Sequence, residues 1–475
     1  MAWHETYQER VLGPDFDFAG KYLFHHFIDA MTAHLTAVAR LAHVQSAEDQ
    51  AAIGELRQAL IALHDERVPE RSPDVPDLYF ALQRKLEARV GGSVAFVRVG
   101  LSRNDLDMVV YKMRGREILL ETSRKLLRVR AALLALAAEH VDTVLIAQTH
   151  HQPGQPSTVA HYLSAVCDAL QRDSQRLEQA YTRHNLSPLG AAALAGSSHP
   201  LDRNLTAALL GFDGPVANTY DAVAAADWQF DLVSASQSIA LNAGRLICDL
   251  INWSTAGWYR LGDGLVQGSS IMPQKRNPVA LEHARTRFSR ALGTAGMVVY
   301  SAHNIPFADL NDFGPDVQGA LQAQHLQLSG GLELLEACVT EGAFERDKLA
   351  AAAAAGNTTA TELADHLARD NGVPFTRAHA IAAALVKRMD SEGRDFTAAT
   401  PQDVMAAGGP ELTQAALREA LDPAVFVAAR RGIGMPAPEV MAERVRIQRR
   451  SLAEDEAWLA GRVSALADAR ALLRG

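Results

Sequence analysis

The chain has 475 residues, 48% of them hydrophobic, and a formal net charge of −9 from 46 basic and 55 acidic side chains. That length allows about three domains with sizeable cores. The acidic balance argues against nucleic acid or an anionic membrane surface as a partner.

The N-terminus, Met1-Ala2-Trp3-His4-Glu5-Thr6, has no basic-then-apolar signal, and no apolar run is long enough to span a bilayer. A soluble cytoplasmic protein is expected. Helical patterns run over Phe24 to Ala42, Glu48 to His64 and Asp77 to Val90, punctuated at Gly13-Pro14 and Ser72-Pro73 and stopped by Gly91-Gly92. From Ser102 the patterns lengthen: Asn104 to His140, Pro156 to His184, Asp221 to Ala256, Pro278 to His303 and Pro315 to Cys338. The longest is about 35 residues, or roughly 50 Å at 1.5 Å per residue, which points to a bundle. Leu127 to Ala138 is apolar on more than one face, so other subunits are expected to cover the bundle.

Beyond Glu341 the patterns shorten to Gly356–Gly372, Thr376–Met389, Pro401–Ala407 and Glu411–Leu421, before a charged amphipathic stretch from Pro436 to Arg474. The run Ala350 to Ala355 is helix-forming. The domains expected are an N-terminal helical domain at 1–103, a long-helix bundle at 104–343 and a C-terminal helical domain at 344–475. Cys167, Cys248 and Cys338 are far apart in apolar helical stretches, so buried thiols are expected and not disulfides or zinc ligands.

Three polar segments each precede a long helix. Ser102-Arg103-Asn104-Asp105 offers a guanidinium that can grip a carboxylate with two parallel bonds. Thr149-His150-His151-Gln152-Pro153-Gly154-Gln155-Pro156 places a histidine, suited to acid–base work near neutral pH, on an irregular backbone. Of His150 and His151, one is expected to face a site. The third segment, Gly268 through Pro278, carries Ser269, Ser270, Met272, Lys275 and Asn277 on a flexible loop. Asn277 reads as an N-cap and Pro278 as the first helical residue. Hydroxyls, an ammonium and a carboxamide beside a helix N-terminus suit a carboxylate that gains negative charge during a reaction.

Gly268-Ser269-Ser270-Ile271-Met272-Pro273-Gln274-Lys275-Arg276-Asn277 resembles the Gly-Ser-Ser-x-Met-Pro-x-Lys-x-Asn motif of the fumarase/aspartase superfamily. The other two segments are similar to the Ser-Arg-Asn-Asp and Thr-His-x-Gln-x-x-Gln-Pro of its argininosuccinate lyase branch, as are Pro188-Leu189-Gly190 through Gly196 and Ala360 through Asp365. The resemblance implies an all-α, three-domain fold with a long central helical bundle, no metal and no cofactor. It also implies a homotetramer whose active sites each draw on three subunits.

The chemistry so implied is β-elimination of an amine from an N-substituted aspartate, releasing fumarate through an aci-carboxylate dianion. By family position Ser269 is the base, Lys275 and Asn277 hold the dianion, and Thr149, Arg103, Asn104 and Ser270 grip the succinyl carboxylates. His150, oriented by Glu282, protonates the departing nitrogen. Ser102, Gln152 and Met272 complete the expected substrate-binding set.

The sequence departs from that branch where the amine is read. Ile305 to Gly314 aligns with Thr-Tyr-Asn-Lys-Asp-Leu-Gln-Glu-Asp-Lys, so its tyrosine, glutamine and lysine fall on Pro306, Asn311 and Gly314. An arginine of the family falls on Ala226, and its Asp-x-His becomes Asp77-Leu78-Tyr79. An amine other than arginine is therefore expected, with Pro306, Phe307 and Phe313 as an apolar patch for it. The alternatives are argininosuccinate lyase itself and a catalytically silent structural homologue.

Overall fold

The computed structural model describes residues 3–475. The first three helical patterns form as α1 (Phe24–Val38), α2 (Ala47–Ala62) and α3 (Leu78–Val90). Their limits have local causes. Ser46 Oγ accepts from Asp49 N at 3.0 Å, and the Asp77 carboxylate accepts from Phe80 N at 3.0 Å. Gly91, at φ +58°, ends α3 in a conformation that side chains rarely adopt. The three helices bury Ile28, Leu35, Leu56, Leu60 and Leu82 in one core.

Five long helices form the bundle: α4 (Arg103–Glu139), α5 (Val159–His184), α6 (Asp227–Thr255), α7 (Val279–Ser301) and α8 (Pro315–Thr340). α4 and α8 run side by side in one direction, because Arg114 meets Gln322, Lys125 meets Glu333 and Arg128 meets Glu336. α5 runs against α4. Its start bonds to Thr143 just past the end of α4, and His184 at its end donates to the Lys112 carbonyl at 2.7 Å. A Cβ on Gly115 would come within 2.6 Å of the His184 ring, so glycine inside α4 permits this close approach. α6 begins beside His184, where Trp228 stacks edge-on, and ends beside Tyr162 near the start of α5. α7 then returns to the N-terminal core, where Ala302 and Ile305 pack. The bundle therefore has two distinct ends, one at the N-terminal core and one at the start of α5.

Several expectations need correction. The pattern from Pro156 starts as a helix only at Val159, because Val144–Thr149 and Gln152–Thr158 pair as an antiparallel hairpin, β1 and β2. The pattern from Asp221 breaks at Ala225-Ala226 into Thr219–Ala224 and α6. Cys248 is exposed, whereas Cys167 and Cys338 are buried. The all-round apolar character of α4 does not call for another subunit, because its own chain covers it. The C-terminal helix α12 (Pro438–Arg474) packs along α4 and α5 and inserts Met441, Val445, Leu452 and Leu459 into the bundle core. The fully buried Arg130 of α4 donates to Ser174 Oγ at 2.9 Å and pairs with Asp455 of α12.

A third core, around Leu363, Leu367, Leu385 and Leu417, joins α9 (Ala360–Arg369), α10 (Phe375–Ser391) and α11 (Gln414–Leu421). The alanine run lies in a separate helix, Arg346–Ala355. No helix among the described residues is long and apolar enough to cross a membrane. Among the apolar side chains the chain leaves uncovered are Leu241, Met297, Tyr300 and Leu326 on α6, α7 and α8, which are 50% to 80% exposed.

Candidate active site

The first polar segment sits at the N-terminal end of the bundle. Ser102 is the N-cap of α4 in a capping box: Ser102 Oγ accepts from Asn104 N at 3.3 Å, and Asp105 Oδ1 accepts from Ser102 N at 3.0 Å. The second oxygen of Asp105, a fully buried residue, accepts from Gly190 N at 2.8 Å and Ala192 N at 3.0 Å. Asp105 thus fixes the loop from Pro188 to Gly196 against the start of α4, although burial pushes its pKa up to about 7. Asp105→Ala strands three amide donors and should cost about 2–4 kcal/mol of stability. Urea unfolding measures this, and an unchanged midpoint would contradict the anchoring role.

Arg103 is half exposed, and its guanidinium reaches Asp77 at 3.0 Å and Asp107 at 3.4 Å. Burial raises the pKa of Asp107 to about 7 and raises that of Asp77, with Arg103 opposing the shift in both. Asn104 stands beside it and accepts from Ser102 Oγ at 3.1 Å.

The second segment is the tip of the β1–β2 hairpin. Thr149 and Gln152 face each other across the ladder, and His150 and His151 form the two-residue turn, at φ +53° and +61°. Two positive φ values are the mark of a type I′ turn. Histidines there carry strain of about 1–3 kcal/mol each, a cost that clusters at functional sites. Thr149, His150, His151 and Gln152 are all exposed. Gln155 Nε2 ties the hairpin to Thr361 Oγ1 at 3.1 Å.

The third segment is a loop pinched at its neck. Gln267 and Asn277 exchange backbone bonds of 3.0 and 2.9 Å, while Arg276 anchors the base on Leu261 O at 2.9 Å and Asp263 at 2.7 Å. Between them the tip stands clear of the fold, with Ile271 83% exposed and Ser270, Met272 and Lys275 also exposed. Ser269 is half-buried, and its Oγ accepts from Met272 N at 3.1 Å and Ile271 N at 3.4 Å. Lys275 makes no ion pair among the described residues. The expected cap is corrected here: Pro278 itself is the N-cap residue, α7 starts at Val279, and no side chain caps it. Proline has no side-chain acceptor, and the Asn277 backbone is committed to the neck. Its carboxamide has no hydrogen-bond partner among the described residues, whereas the first turn of α7 is closed by Val279 N donating to Asn277 O at 2.8 Å and Leu281 N to Pro278 O at 3.1 Å. Glu282 lies exposed in the first turn of α7.

One copy does not bring these segments together. Arg103 opens α4, whereas the hairpin follows its far end, about 55 Å away for 37 residues at 1.5 Å each. The Ser269 loop precedes α7, whose 23 residues span about 35 Å before reaching the Arg103 end. No hydrogen bond or ion pair among the described residues joins His150 to Glu282 or to the Ser269 loop.

The expected apolar patch is also corrected. Phe313 is 1% exposed in the N-terminal core, and its carbonyl accepts from Gln229, so it lines nothing; Phe307 is exposed and stacks on Tyr220 at 5.9 Å. Sequence reading missed Asp15 and Asp316, which face Arg103 across a cavity. They lie some 300 residues apart in no motif, so nothing local signals them.

Residues 25–293 match the family described as Lyase, and residues 357–428 match the argininosuccinate lyase C-terminal family. The chain is 36% identical to argininosuccinate lyase of Methanoculleus marisnigri over 449 residues, which is 92% of this chain and 89% of that one. It is 37% identical to argininosuccinate lyase of Natronomonas pharaonis over 440 residues, 90% and 88% of the two. Among solved structures it is similar to EDDS lyase in complex with formate, with a TM-score of 0.83 and 28% identity over 100% of this chain and 95% of that one.

Proposed function

From its membership of the fumarase/aspartase superfamily, in the argininosuccinate lyase-like branch, we propose how this carbon–nitrogen lyase uses its own residues to eliminate an amine from an N-substituted aspartate and release fumarate. The proton to be removed lies beside a carboxylate and is very weakly acidic. Taking it places a second negative charge on that carboxylate, so the site must present donors where the charge develops.

Ser269 is the base. The observation that carries this reading is its oxygen, which accepts two amide hydrogens of its own loop, from Met272 and Ile271, and so is biased toward the anionic form. Lys275 and Asn277, on the same loop at the positive end of the α7 dipole, stabilise the dianion. Arg103, Asn104, Thr149 and Ser270 hold the succinyl carboxylates, with Ser102, Gln152 and Met272 around them. The carbon–nitrogen bond then breaks, its electrons leave with nitrogen, and His150, oriented by Glu282, supplies the proton that makes the amine a good leaving group. The products are fumarate and the free amine.

Because the Arg103 segment lies about 35–55 Å from the other two in one copy by helix length, the working site is assembled between copies. A homotetramer with sites shared among three subunits fits the uncovered Leu241, Met297, Tyr300 and Leu326 on α6, α7 and α8. A closed, self-complementary assembly would bury such a surface. No cofactor is called for, and the neck at Gln267 and Asn277 lets the Ser269 loop close over substrate without disturbing α7.

The test is the reverse reaction. Purified protein with fumarate and a panel of amines, hydrazines and amino acids should give at least one product whose mass is the sum of the two. Absence of any adduct across the panel, from a folded oligomer, would overturn the proposal.

A further inference from the structure

Beside Arg103 lies a cavity of about 200 Å3 that the elimination chemistry leaves unexplained. Its walls are largely apolar, with Tyr7, Phe18 and Phe27 among them, yet four carboxylates reach it: Asp15, Asp77, Asp107 and Asp316. Among the described residues Arg103 is the one cation that lines it, and that guanidinium is shared between Asp77 and Asp107. Asp15 and Asp316 have no ion-pair partner among the described residues. Burial, and the nearness of Asp316, push the Asp15 carboxyl up to about 6. These acids are short of positive charge.

Two further polar groups point to an absent ligand. Tyr111 is 6% exposed and lines the cavity, and its hydroxyl has no hydrogen-bond partner among the described residues. Gln318, 5% exposed, donates its amide to Gly314 O at 2.9 Å, and its carbonyl oxygen has no partner among the described residues. Polar side chains so little exposed normally find partners. What is lacking here is a donor that carries positive charge, and aromatic walls favour the same kind of group.

We propose that this cavity receives the body of the leaving amine and selects an amine with a second cationic nitrogen on an apolar skeleton and no carboxylate. The inference rests on the reading of this chain as a fumarate-releasing lyase with Arg103 at its site. An amino acid would bring a further carboxylate against these four, with Arg103, the local guanidinium, taken by the succinyl carboxylate.

The full-length oligomer, supplied with fumarate, should add 1,4-diaminobutane with a kcat/KM at least about tenfold above that for butylamine, and above that for arginine, because a charge-assisted bond to a carboxylate carries that much discrimination. In Asp15→Asn/Asp316→Asn the diamine-to-butylamine ratio should fall to about one, through KM for the diamine, with an unchanged circular dichroism spectrum. Tyr111→Phe should lower the same ratio in part. Equal or better use of butylamine by the wild type, or an undiminished ratio in the double variant, would overturn the inference while leaving the lyase reading intact. Failure of every amine would remove the lyase reading itself, and the inference with it.

Discussion

Ser269→Ala should lower kcat for fumarate release by about a thousandfold or more, the scale expected when a positioned base is removed. KM should change little, because the residues proposed to grip the succinyl carboxylates, Arg103, Asn104 and Thr149, lie elsewhere. The fold should also hold. Ser269 stands on a loop closed below it by the Gln267–Asn277 bonds, and its hydroxyl supports only the amides of Ile271 and Met272. Steady-state kinetics with an intact unfolding midpoint would check both halves of the expectation. A loss of activity within tenfold would mean that another group takes the proton. Lys275, on the same loop and without an ion pair among the described residues, would be the next candidate.

The long helices were readable because their limits are written locally. Ser102 with Asp105 makes a capping box, Thr158 caps α5 and Gly91 ends α3. The three polar segments were readable for the same reason, since each lies at or just before such a limit. The hairpin was not. A type I′ turn is normally announced by Asn-Gly, and here two histidines occupy it at positive φ, which no propensity would suggest. Pro278 looked like a first helical residue but takes the capping position, because Asn277 is drawn back into the neck of the loop. Long-range burial was equally hidden. α12, more than 300 residues after α4 begins, supplies the cover that seemed to demand another copy. Phe313 turns inward where a substrate-facing role was expected. The carboxylates around Arg103 come from four separate stretches of chain and converge only in three dimensions.

The account depends on Arg103 and Ser269 serving one site from different copies, because in a single copy they stand at opposite ends of a helix of about 35 Å. Arg103→Met and Ser269→Ala should each be nearly inactive alone, the first through lost carboxylate binding and the second through lost proton abstraction. Mixing them changes the outcome. A copy carrying Arg103→Met still has an intact Ser269 loop, and a copy carrying Ser269→Ala still has an intact Arg103. In an equal mixture each site draws the two residues independently, so about one quarter of sites receive both. Co-expressing the two variants with different tags, isolating the doubly tagged oligomer and assaying fumarate release is the most direct measurement. Recovery to about a quarter of wild-type activity is the predicted result, and a doubly tagged oligomer as inactive as either parent would contradict the account.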